Sequence, residues 1–220
     1  MRNLNEYLDS TLLRPDATAA QIAALCHEAM EYEFRAVCIP PCYVSLARDI
    51  LRGSSVKIAT VVGFPLGNSA TAVKAYETER AVGDGADEID MVMNISYFKS
   101  GRHIDARDDI RAVVSAAAKG GAVVKVIIET CLLDEDEIRD ACRLVMETGA
   151  AFVKTSTGFS TGGAAAEDVR VMKETVGDRL KIKAAGGIRD LAAAGELIGA
   201  GADRLGCSAA ADVMEEWKES

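Results

Sequence analysis

Histidine is nearly absent from this chain: His27 and His103 are the only two in 220 residues. They lie far apart in sequence, which weighs against a serine–histidine hydrolase and leaves few nitrogen ligands for zinc. The six cysteines, Cys26, Cys38, Cys42, Cys131, Cys142 and Cys207, contain no C-x-x-C pair. They read as reduced, mostly buried thiols, and no metal site is expected. No strand leads into G-x-G-x-x-G and no P-loop occurs, so neither nucleotide fingerprint is present. Positive charge is also in short supply. Lys and Arg number 25 against 34 Asp and Glu, giving a net charge of −9 and a pI near 4.9. That excludes nucleic acid and anionic membrane as main partners. No apolar run approaches the ~20 residues of a membrane span. The segment Met1-Arg2-Asn3-Leu4-Asn5-Glu6 lacks a signal-peptide core, so a cytoplasmic protein is expected.

Hydrophobic residues make up 49 % of the chain, enough for a sizeable core. No break in composition divides it, and residues 1–220 read as one domain. After a helical turn near Leu4, short apolar runs at 8–13, 34–39, 56–62, 87–93, 122–129 and 152–154, then around Lys183 and at 202–208, read as strands. Helices alternate with them. Thr18 with Gln21 and Asp134 with Glu137 fit capping boxes, and Asp190 fits a further N-cap. Helix ends are expected at Gly83, Gly120-Gly121, Gly149 and Gly199 to Gly201. The joints Gly85-Ala86-Asp87, Gly149-Ala150-Ala151 and Gly201-Ala202-Asp203 look alike and hint at a repeated βα unit. Eight such units predict a (β/α)₈ barrel, an α/β fold. An open doubly wound sheet is the alternative.

Several strands carry a charge within an apolar run. Side chains two apart share a strand face. Lys125 therefore sits with Val123 and Ile127, Asp90 with Glu88 and Val92, Lys154 with Phe152, and Lys183 with Lys181. Buried charges of mixed sign need one another, so Asp90, Lys125, Lys154 and Lys183 suggest a paired network inside a barrel. Lys154 and Lys183 end neighbouring strands. An amine beside another cation loses its proton more easily and becomes a nucleophile. Glycine loops follow the last two strands, Gly186-Gly187 and Gly206-Cys207-Ser208. In barrels such loops bind phosphate through backbone N–H groups. Thr155-Ser156-Thr157-Gly158 adds hydroxyl and amide donors, and bulk at Gly187 is expected to block an approaching phosphate.

From Leu8 to about Ala210 the chain resembles the deoxyribose-phosphate aldolases, a class I, Schiff-base family. The resemblance rests on ordered motifs. They include Leu8-Asp9-Ser10-Thr11-Leu12-Leu13, Val61-Val62-Gly63-Phe64-Pro65-Leu66-Gly67, Glu88-Ile89-Asp90, Lys125-Val126-Ile127-Ile128-Glu129-Thr130, Lys154-Thr155-Ser156-Thr157-Gly158 and Lys183-Ala184-Ala185-Gly186-Gly187. It implies a (β/α)₈ barrel that reversibly cleaves 2-deoxyribose 5-phosphate to acetaldehyde and glyceraldehyde 3-phosphate. By position, Lys154 matches the Schiff-base lysine, Lys183 the second lysine that perturbs it, and Asp90 the acid of the proton relay. Asp9 resembles a supporting aspartate, and Lys125 is assigned a supporting role from strand parity. Gly158, Gly186, Gly187, Gly206 and Ser208 match phosphate-loop positions. The expected partner is a small sugar phosphate, with no cofactor or metal, in a homo-oligomer, dimer or tetramer. Ser10, Pro40, Phe159 and Ala209 depart from residues common in the family. The last two leave fewer phosphate donors. A transaldolase-like enzyme and a catalytically silent sugar-phosphate-binding barrel are the rivals.

Overall fold

The computed structural model describes residues 3–220. Met1 and Arg2, at the head of the segment read for a signal-peptide core, lie outside them. Eight strands close into a barrel in sequence order. They are β1 (Leu8–Thr11), β2 (Ala36–Ile39), β3 (Lys57–Val62), β4 (Glu88–Val92), β5 (Val123–Ile127), β6 (Phe152–Lys154), β7 (Lys181–Ala185) and β8 (Arg204–Cys207). Every pairing is parallel, and Asp9 opposite Gly206 closes the ring. The (β/α)₈ expectation holds and the open sheet is set aside.

Outside the barrel lie α1 (Ala19–Glu31), α2 (Val44–Ile50), α3 (Thr71–Asp84), α4 (Ile95–Lys99), α5 (His103–Ala118), α6 (Glu135–Met146), α7 (Ala166–Val176), α8 (Leu191–Gly199) and α9 (Ala210–Glu219). Both capping boxes form, Thr18 with Gln21 and Asp134 with Glu137, and Asp190 caps α8. One local expectation fails, and one short helix goes unanticipated. Helix α3 runs through Gly83 and stops at Gly85, whose φ of 118° only glycine adopts without strain. Helix α4 is only five residues long, too short for a periodic pattern to announce it; the Asn94 side chain seats it by accepting from Tyr97 N–H.

Outward-facing strand residues such as Val37, Ile58, Ile89, Met91, Val126, Val153 and Ile182 pack against apolar helix stripes, for example Ile22, Cys26 and Ala29 of α1. Each buried side chain of this kind contributes roughly 1.5–3 kcal/mol. This shell between sheet and helices is the main core. The barrel interior is divided. Cys38, Ala59 and Val61 of β2 and β3 form a small apolar cluster with Leu13 and Phe64. The rest of the interior mixes the charged side chains of Asp9, Glu88, Asp90, Lys125, Lys154, Lys183 and Arg204 with apolar ones such as Val92, Ile127 and Phe152. No helix among the described residues is long and apolar enough to cross a membrane.

Candidate active site

Parallel register places partners on the same sheet face, and here it lines up charges. Asp90 lies opposite Lys125, and Lys154 opposite Lys183, which in turn lies opposite Arg204. Asp90 is the hub. Its Oδ1 accepts from Lys125 Nζ at 2.6 Å, and its Oδ2 accepts from both Lys154 Nζ at 2.7 Å and Lys183 Nζ at 2.8 Å. Lys183 also donates to Asp9, whose other oxygen accepts from Arg204 at 2.6 Å. Glu88 pairs with Lys125 at 2.6 Å and Arg204 at 3.2 Å. All seven residues are buried. The five acids and lysines read from the sequence, Lys154, Lys183, Asp90, Asp9 and Lys125, thus meet in one network.

Four cations, Lys125, Lys154, Lys183 and Arg204, face three carboxylates. Lys183 and Arg204 each contact two carboxylates, and Lys125 reaches all three. Lys154 has Asp90 Oδ2 alone and shares it with Lys183. It is therefore the least compensated cation. Burial lowers its pKa and nearby Lys183 adds to that, while Asp90 opposes both without cancelling them. Lys183 moves the other way. Burial would lower its pKa, but Asp9 and Asp90 hold it above the ordinary lysine value. Burial would raise Asp90, yet Lys125, Lys154 and Lys183 keep it well below the usual carboxylate range. The sequence argument makes Lys183 the principal lever on Lys154. The structure puts burial first and Lys183 behind it.

Above the network a cavity of about 780 Å³ opens at the C-terminal ends of the strands, the face where barrel enzymes do their chemistry. Lys154 lies in its wall, as do Gly158, Gly186, Gly187, Gly206 and Ser208. Gly186, at φ 91°, is where the β6 and β7 loops touch: a Cβ there would come within 3.1 Å of Gly163 Cα and 3.4 Å of Gly158 Cα. The Cys207 thiol donates to the Ile188 carbonyl at 3.2 Å and ties the β7 loop to β8.

Two loop expectations change. Gly206 belongs to the strand ladder, paired with Asp9 and Ala185, so the loop after β8 begins at Ser208. Added bulk at Gly206 would meet Ala185 Cβ at 2.9 Å and Lys183 Cε at 3.1 Å; the glycine makes room for Lys183. At Gly187, which lines the cavity, a Cβ would meet no protein atom within 4 Å, and the φ of 82° itself disfavours any side chain. Two of the hydroxyls after β6 are also committed. Thr155 Oγ1 exchanges hydrogen bonds with the Ala185 backbone, and Thr157 Oγ1 donates to Glu129 at 2.5 Å.

Glu129, Glu88 and Arg204 are site residues that sequence reasoning did not assign. Glu129 leaves the strand at φ 54° and is buried, accepting also from Thr157 N–H at 3.1 Å. It pins the loop that follows Lys154. The available signal was an acid at the end of an apolar run, directly before a loop. For Glu88 the signal was its parity with Asp90. For Arg204 it was a strand position two before Gly206.

The model of the DeoC/LacD family aldolases matches residues 6–204. The chain belongs to this aldolase family. It is 52 % identical over 215 residues to the deoxyribose-phosphate aldolase of Natranaerobius thermophilus, covering 98 % of this chain and 97 % of that one. It is 51 % identical over 215 residues to the Clostridium tetani enzyme of the same name, covering 98 % and 99 %. The tetrameric deoxyribose phosphate aldolase of Aeropyrum pernix superposes with a TM-score of 0.92 at 35 % identity, covering 98 % of this chain and 91 % of that one. Lys154 opens to the cavity, and burial holds its pKa below the ordinary lysine value.

Proposed function

We propose that this aldolase reversibly cleaves 2-deoxy-D-ribose 5-phosphate to acetaldehyde and D-glyceraldehyde 3-phosphate through a Schiff base on Lys154. The observation that carries the reading is the setting of Lys154: the least compensated amine of a buried network, lying where the network meets the cavity. Neutral Lys154 attacks the open-chain C1 aldehyde, and loss of water with uptake of one proton gives an iminium; the final hydrolysis returns that proton. The bond between C2 and C3 breaks, its electron pair moves into the iminium, and the C3 hydroxyl loses its proton as glyceraldehyde 3-phosphate departs. The enamine gains a proton at C2, and water then releases acetaldehyde. The proton lost at C3 balances the proton gained at C2, so the site needs only a shuttle. We assign that shuttle to Asp90 and Lys183, which share a hydrogen bond beside Lys154. Asp9, Lys125, Glu88 and Arg204 hold the pair in place. No separate cofactor enters the scheme, because the iminium is the electron sink.

We read residues 1–220 as one domain, since a single barrel takes in every strand of the described residues. A cytoplasmic location is supported by six free thiols and no disulfide among those residues. A homo-oligomer, dimer or tetramer, is supported by Leu66, Val73 and Tyr76, exposed together on the β3–α3 segment. The substrate assignment is tested by offering acetaldehyde and ketone donors with glyceraldehyde 3-phosphate. Condensation with acetaldehyde is expected; turnover with ketone donors alone would favour a transaldolase-like enzyme.

A further inference from the structure

Resting on that aldolase reading, we infer that Arg14 is the side-chain anchor for the substrate's phosphate and sets the preference for phosphorylated sugars. A phosphate monoester brings a charge near −1.5 to −2 at pH 7, into a protein whose net charge is −9. Among the described residues, the cavity is lined by two cationic side chains, Lys154 and Arg14. Lys154 is consumed in the chemistry, which leaves Arg14. One acid, Glu28, faces the same space and would repel the anion.

The β6 loop has little left to offer. The hydroxyls of Thr155 and Thr157 are engaged, and the N–H groups of Thr157 and Phe159 already donate to Glu129 and to Thr157 Oγ1. Phe159 itself presents an aromatic ring packed edge-on against Phe64. Arg14 sits just beyond β1, the strand beside β8 and Ser208. Its present partner is weak. Asp16 accepts from Nε at 3.1 Å and from a terminal nitrogen at 3.4 Å, with both side chains more than half exposed. An exposed ion pair of this kind is readily exchanged, and a guanidinium matches phosphate in a forked geometry.

The test compares kcat/KM for deoxyribose 5-phosphate and deoxyribose in the wild type, Arg14→Met, Arg14→Lys and Arg189→Met. The last replaces an exposed arginine on the β7 loop that lies outside the cavity lining. Arg14→Met is expected to lower the phosphorylated-to-unphosphorylated ratio roughly tenfold, the scale of one charge-assisted hydrogen bond. Competitive inhibition by inorganic phosphate should weaken to match, and Arg14→Lys should recover part of both. Equal losses on the two sugars, unchanged phosphate inhibition, or a ratio that follows Arg189→Met instead would overturn the assignment. Borohydride trapping with acetaldehyde separates the two levels. A wild type that forms no adduct defeats the aldolase reading, while direct calorimetric binding of inorganic phosphate to the wild type and Arg14→Met still reports on Arg14.

Discussion

Asp90→Asn is expected to lower turnover by about 10²–10⁴-fold, the usual worth of a positioned acid–base group, while leaving Schiff-base formation intact or faster. The two effects separate because Asp90 acts on Lys154 in opposite senses. It serves as the proton carrier we assign to the C2–C3 cleavage, and its charge also raises the Lys154 pKa. Neutralising it removes the carrier and at the same time frees the amine. Borohydride trapping at neutral pH should therefore hold or rise while product formation collapses. Asparagine keeps the shape of the hub, yet three lysines lose the charge they share. Breaking such a buried set costs roughly 3–5 kcal/mol of stability, so thermal unfolding is measured in parallel. If trapping and turnover fall together in a variant that remains folded, Asp90 acts in forming the imine, and the shuttle assignment fails.

Lys183→Leu should move Lys154 the other way. Two ammonium groups sharing one carboxylate oxygen repel by roughly 3–4 kcal/mol at the effective dielectric of such sites. Leucine removes that repulsion and keeps most of the bulk. It also leaves Asp9 and Asp90 without the cation they share, which adds negative potential at Lys154. Both changes raise the Lys154 pKa. At neutral pH the amine is then protonated, and the rate of adduct trapping should fall at least about tenfold. Because the depressed group is a base that must be neutral, activity rises with pH. The wild-type profile should rise at lower pH than the variant's, and alkaline conditions should restore trapping in Lys183→Leu. Turnover should recover less, since the shuttle is also damaged. An unchanged pH profile for trapping would confine Lys183 to proton transfer.

Much of this site was legible because strands are short and their parity is strict. Asp90, Lys125, Lys154 and Lys183 interrupt apolar runs at positions that can only face inward once the outward set is assigned to the helix-packed shell. Arg204 stayed hidden because Ala202-Asp203-Arg204 reads as a helix-to-strand joint, where a charge is unremarked. The Lys74–Asp109 pair, buried between α3 and α5 at 2.6 Å, stayed hidden for another reason. Helical periodicity assigns charges to the solvent face, and nothing local says that Lys74 reaches the Val92 carbonyl at 2.9 Å instead. The order of effects on Lys154 was likewise out of reach, since burial is a property of the closed barrel and not of two neighbouring lysines. The Thr155 and Thr157 hydroxyls, which look like phosphate donors, turn out to be engaged by partners distant in sequence, Ala185 and Glu129.

The proposed chemistry stands on one covalent bond, and that bond can be weighed. The protein is incubated with deoxyribose 5-phosphate or acetaldehyde, reduced with borohydride, and digested for mass spectrometry. A single acetaldehyde-derived adduct on the peptide carrying Lys154 is expected, absent from Lys154→Met, which keeps a similar length of side chain without the amine. An adduct on Lys183 or Lys125 would move the nucleophile, and no adduct from a wild type that still turns over substrate would contradict the Schiff-base mechanism.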